Sequence, residues 1–178
     1  QRVIGEIAAD FRRDVPMNRL VQGDVGSGKT LIAAAAAYCC ARSGHQTALM
    51  APTEILAEQH AASLTPLMAQ FGIQTILLTG SMRRTERAAA LEAAATGSAN
   101  LIIGTHALLS ETLEFQDLGL VIADEQHRFG VGQRAKLASK GQNPHLLVMS
   151  ATPIPRTLAL ILYGDLDLSI VDERPPGR

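Results

Sequence analysis

Cysteine is scarce in this sequence: there are two, Cys39 and Cys40, and they are neighbours. In a helical pattern adjacent side chains diverge by about 100°, so no disulfide is expected to join them. They read as reduced core thiols of a cytoplasmic protein. With no further cysteine, and with His45, His60, His106, His127 and His145 scattered along the chain, the spacing of a Cys/His zinc site is missing. Four of these histidines read as ordinary structural residues; His127 alone follows a carboxylate pair. Excess charge is lacking too. A formal net charge of −1 gives no electrostatic sign of a nucleic-acid partner, although a local basic patch fits inside a neutral total. Long apolar runs are missing as well, since nothing approaches the roughly 18 residues of a membrane span. That reading predicts a soluble protein with no membrane partner. There is no internal repeat, and the alanine-rich stretches are good helix formers.

What is present is the composition of a folded domain: 47% apolar and 19% charged residues over 178 positions, enough for one buried core. Apolar runs of strand length recur at 19–23, 47–52, 74–80, 100–105, 118–124 and 145–152. Helical spacing fills 31–43, 54–71 and 83–96 between them, with Gly44, Gly72 and Gly97 as expected helix stops. Pro66 inside the second of these stretches is expected to kink or divide it. Strands that are continuously apolar and alternate with helices call for a doubly wound parallel α/β sheet with helices on both faces, in a single domain. Ligands then belong at the carboxyl ends of the strands. The opening QRVIGEIAADF reads as an amphipathic helix and the closing DERPPGR as extended linker. The expectation is one domain over 1–172, with 173–178 starting a linker to a further lobe.

The sharpest motif is GDVGSGKT: Gly23, Asp24, Val25, Gly26, Ser27, Gly28, Lys29 and Thr30. It fulfils G-x-x-x-x-G-K-[ST] between an apolar strand and a helix, the context that makes it a phosphate-binding loop. Glycines turn successive N–H groups inward on phosphate oxygens, and the helix start adds the positive end of its dipole. Lys29 is then expected at the β/γ-phosphates and the Thr30 hydroxyl on Mg²⁺. Such a fold needs an acidic residue at the end of a second strand, and LVIAD supplies it. Asp124 is expected to serve the metal through water. Glu125, one residue on, is expected to orient and deprotonate the attacking water. A solvated acidic turn is a poor account of two carboxylates that end an apolar strand.

GDVGSGKT, APTE at 51–54, GTHAL at 104–108, DEQH at 124–127 and SAT at 150–152 are similar, in order and spacing, to the motifs of the first RecA-like domain of superfamily 2 helicases. The extended DEQHRFGV and SATPIPRTLAL narrow the resemblance to the RecG family, bacterial ATP-dependent helicases that remodel branched DNA. The resemblance runs over essentially the entire chain. It implies a RecA-like P-loop NTPase fold, ATP and Mg²⁺ as ligands, and branched or forked DNA as partner. It further implies that Pro52, Thr53, Gly104, Thr105 and His106 follow the DNA backbone without reading bases. Gln126, His127, Ser150 and Thr152 would couple the γ-phosphate state to domain movement. For Thr53 the plain alternative is a helix N-cap, and both roles can coexist. Arg128, Arg134 and Arg156 are left between DNA, the second lobe and solvent.

The family's adenine-facing glutamine would fall upstream of Gln1. The second RecA-like lobe with its arginine finger, and the wedge that engages junctions, would come from the same parent chain. Two alternatives remain open at this point. One is the transcription-repair coupling factor, which shares the RFGV and ATPIPRTL segments but usually carries DEEH where this chain has Gln126, and usually differs at Ser27. The other is a nucleotide-binding module with no turnover of its own.

Overall fold

The computed structural model describes residues 1–125, 131–151 and 166–171. Seven strands, β1 (Asn18–Gly23), β2 (Gln46–Met50), β3 (Thr75–Leu78), β4 (Leu101–Gly104), β5 (Leu118–Glu125), β6 (His145–Ser150) and β7 (Asp167–Val171), form one sheet in the order β3-β4-β2-β5-β6-β1-β7. Every pairing is parallel. The helices are α1 (Arg2–Asp10), α2 (Lys29–Arg42), α3 (Glu54–Ala69), α4 (Arg84–Ala95) and α5 (Val131–Ala138), with a 3₁₀ turn at His106–Leu109. The fold is therefore the doubly wound parallel α/β sheet that the alternation of strand and helix runs predicts.

Strand alternation assigns each side chain to a face. Val21, Leu49, Leu101, Ile103, Leu120, Ile122, Leu147 and Met149 meet α1, α2 and α3 in one core layer. Ala48, Met50, Leu78, Ile102 and Val121 meet α4, the 3₁₀ turn and Leu137 of α5 in the other. Burial on both faces explains why the strands are apolar throughout instead of alternating.

All six predicted strands exist, and β7 is a seventh that the sequence did not announce. Its burial pattern along DLSIV is mixed, as befits an edge strand paired only with β1. Gly44 and Gly97 follow the C-caps of α2 and α4 at φ +87° and +73°, and Gly72 reaches +72° just beyond α3. Pro66 does not divide its helix, because α3 runs from Glu54 to Ala69. Pro66 and Ala62, the residue whose carbonyl loses its N–H partner, are both exposed, so water can satisfy that carbonyl and the helix continues.

Candidate active site

The carboxyl ends of the strands gather the chemistry-bearing residues along one edge. Between β1 and α2, Gly26 and Gly28 take φ of +81° and +87°, where a Cβ would be strained although it would touch nothing within 4 Å. Crowding is instead the constraint at Gly23, where a Cβ would lie 2.6 Å from Ser27 Oγ and 2.9 Å from Val171 Cβ. Gly28 is the N-cap of α2 and offers no side-chain cap; its carbonyl takes the Leu31 and Ile32 amides, which leaves those of Lys29 and Thr30 without intrahelical acceptors. Val25, at the loop's tip, is 87% exposed.

Lys29 extends back across this loop. Its Nζ donates to the Gly23 carbonyl at 2.6 Å, to the Asp24 carbonyl at 2.7 Å and to Ser27 Oγ at 3.5 Å. Burial lowers the ammonium's pKa, and the charges of Asp124 and then Asp24 raise it again. Asp124 thus acts electrostatically on Lys29 although β6 lies between their strands. An inward lysine, uncapped helix amides and an open glycine turn suit a bound phosphate chain. Thr30, half-buried in the first turn of α2, and Asp124 carry hard oxygen donors of the kind magnesium would take.

β6 connects the two halves of this edge. Ser150, buried at its end, is in register with Gln22 before the phosphate loop and with Glu125 at the end of β5. The backbone of Glu125 closes that strand. Gln126, His127, Arg128, Thr152 and Arg156 lie outside the described residues. Arg134 is buried on α5, not on the solvated surface.

The second group of predicted residues is also brought together. Met50 and Leu78 both face Gly104 in register, and the Ala51 amide donates to the Gly104 carbonyl at 2.8 Å. Pro52–Thr53 and Gly104–His106 therefore form adjacent turns. Thr53 is indeed the N-cap of α3, accepting the Leu56 amide at 3.3 Å. His106 is exposed, whereas Thr105 is 1% exposed and its hydroxyl finds no partner among the described residues. Buried so, the Thr105 hydroxyl is not at the surface where the expected backbone contact would be made.

Two residues at this edge escaped the sequence reading. Glu54 binds a third turn, accepting the amides of Gly80 at 2.9 Å and Ser81 at 3.2 Å on one oxygen and the Ser81 hydroxyl at 2.7 Å on the other. The Ser81 hydroxyl, then the amides of Ser81 and Gly80 and the charge of His106, hold its carboxyl below the usual range. His60, read as a plain structural histidine, places Nε2 2.6 Å from Asp124 Oδ2.

The model of the DEAD/DEAH box helicase family matches residues 3–161. The chain belongs to the DEAD/DEAH box helicases. Within reach of that family, it is 53% identical over 180 residues to the ATP-dependent DNA helicase RecG of Aquifex aeolicus, covering 100% of this chain and 23% of the relative. It is 56% identical over 181 residues to RecG of Escherichia coli strain K12, covering 99% and 26%. The chain thus spans about a quarter of the length of these curated relatives. A solved structure of RecG bound to a three-way DNA junction superposes with TM-score 0.85 at 48% identity, over 99% of this chain and 24% of that one. A DEAD box protein from Methanococcus jannaschii shares the helicase-lobe fold, with TM-score 0.71 at 23% identity, over 97% and 48%. Among the described residues no helix is long and apolar enough to cross a membrane.

Proposed function

We propose that residues 1–172 are the first RecA-like lobe, the ATP-binding lobe, of a RecG-type helicase that couples ATP hydrolysis to the remodelling of branched DNA, in repair and recombination. The observation that carries this reading is the inward Lys29 inside a glycine turn, acted on by the charge of Asp124 from two strands away. Likeness over the full chain to RecG proteins supports it and does not favour the transcription-repair coupling factor.

In this reading the amides of 24–30 and the Lys29 ammonium bind the β- and γ-phosphates. Thr30 and Asp124 hold magnesium, Asp124 through water. The bound metal supplies charge neutralisation at the transferring phosphoryl group. Glu125 orients a water and takes its proton. Gln126, His127, Ser150 and Thr152 carry the nucleotide state to a second lobe. Pro52, Thr53, Gly104, His106 and the Thr105 backbone follow a DNA strand.

The test compares residues 1–178 with the complete parent protein in ATPase and strand-separation assays, with and without forked DNA. The isolated residues should bind Mg·ATP weakly, turn it over negligibly and separate no strands. A cationic finger from a second lobe contributes about 10³–10⁵ in rate in comparable enzymes, and movement along DNA needs two lobes that close on each other. Robust DNA-stimulated turnover by the 178 residues alone would overturn the reading of this chain as half of a motor.

A further inference from the structure

Asp124 and His60 approach one another from different layers. Asp124 continues the row Leu120, Ile122 on the α1–α3 face of β5. His60 lies in the second turn of α3, between the buried Ala57 and Leu64. The His60 side chain is 11% exposed and that of Asp124 20%, and His60 Nε2 stands 2.6 Å from Asp124 Oδ2. An ionised carboxylate only accepts, so Nε2 carries the hydrogen and donates it. That bond engages Oδ2, and among the described residues no hydrogen bond reaches Oδ1.

Resting on the proposed nucleotide site, we propose that His60 is a positioning residue for the metal-side carboxylate, fixing the rotation of Asp124 so that Oδ1 serves magnesium and its water. The terminal torsion of an aspartate is broad and two-fold, so an Asp124 without a donor would rotate between orientations. The imidazole stops that rotation at small entropic cost, because it is already immobilised in the interface between α3 and the sheet. The arrangement extends a general pattern in which outer hydrogen-bond partners orient the groups that serve a metal. Nothing in the sequence motif around Asp124 contains this residue: it comes from α3, 64 positions earlier.

The experiment uses the complete parent protein and a fluorescent ADP analogue, titrated with magnesium at fixed nucleotide and again in chelator. His60→Asn brings its amide only as far as Nδ1 and cannot reach Asp124. His60→Gln carries an N–H as many bonds from Cα as Nε2 and can. His60→Leu, which keeps bulk without a donor, is the second loss variant should Asn fail to fold. The expected result is a rise of about tenfold or more in the half-saturating magnesium concentration for the loss variants, the scale seen for outer-shell partners. Affinity in chelator should be unchanged, and Gln should return the magnesium response close to wild type. Loss variants that respond to magnesium like wild type overturn the role of His60 while leaving the nucleotide site standing. So does an equal fall of affinity with and without magnesium in both Gln and loss variants, which would mark local collapse. A wild-type protein with no magnesium-dependent nucleotide binding, or one in which Lys29→Ala leaves it intact, would overturn both readings together.

Discussion

Arg19 Nε donates to Asp10 Oδ2 at 2.7 Å, and the two side chains are only 10% and 6% exposed. The same guanidinium donates to Ser169 Oγ at 2.6 Å and to Glu6 Oε2 at 3.2 Å. One buried cation thus ties α1 and the edge strand β7 to β1, the strand that delivers the phosphate loop. Removing one partner of a buried pair costs about 3–5 kcal/mol when the other charge is left uncompensated; Arg19 would keep Glu6 at 3.2 Å and Asp167 at 4.0 Å, so the loss here stays below that range. Asp10→Ala should therefore lower the denaturant midpoint of this chain. Asp10→Leu combined with Arg19→Met should recover much of the loss. Chemical unfolding curves of the three proteins check this; a single variant as stable as wild type would show that the pair is not a linchpin.

Lys29→Ala is expected to abolish nucleotide binding or weaken it severely. The loop would keep its amides but lose the ammonium that reaches back to Gly23 and Asp24 and would meet the phosphates. Titration with a fluorescent ATP analogue reads the result, and unchanged affinity would remove Lys29 from its role.

For Glu125→Gln in the complete protein, ATP binding should persist while hydrolysis slows by a factor of about 10² or more, since the amide keeps the shape and loses the base. Binding and steady-state turnover measured on the same preparation separate the two effects. Near-normal turnover would move the base elsewhere.

His145 supplies a prediction about pH. Its Nδ1 accepts the Met17 amide at 2.8 Å, which requires that nitrogen to be unprotonated. Burial lowers its pKa, Asp10 opposes the shift, and His45 adds to it. A histidine whose folded pKa is depressed below the unfolded value of about 6.5 contributes stability that is complete above that value. The contribution is lost as the pH falls towards the folded pKa, because the unfolded chain binds the proton more readily. Unfolding free energies at pH 7.5 and 5.5 should therefore fall more steeply for wild type than for His145→Gln. Parallel slopes would exclude the mechanism.

The sheet and the phosphate loop were legible in the sequence for the same reason: each is written in consecutive residues. LVIAD is apolar because β5 is buried on both faces, and of the three glycines of GDVGSGKT two, Gly26 and Gly28, stand where φ is positive and Gly23 where a Cβ would collide. Arg19 was not legible as a buried residue, since its partners Asp10 and Ser169 come from α1 and β7. His60 was missed likewise, because its pairing with Asp124 depends on how α3 lies across β5. β7 escaped because DLSIV, an edge strand, lacks the apolar continuity by which the inner strands are recognised. Of the two thiols read as core, Cys40 is buried, and burial pushes its pKa up to about 11, whereas Cys39 beside it is only half-buried, because adjacent helical side chains diverge.

The register of β6 limits how this chain can vary. Its last residue, Ser150, sits opposite Gln22 on one side and Glu125 on the other, so a single rung spans the approach to the phosphate loop, the carboxylate pair and the strand between them. Insertions in the turn at 140–144 leave that rung intact if the turn absorbs them. One residue added inside β6 would slide it by a step, turn Leu147 and Met149 away from α1–α3, and break alignment on both flanks at once. Length changes in descendants of this chain should accumulate in the turn and be purged from the strand.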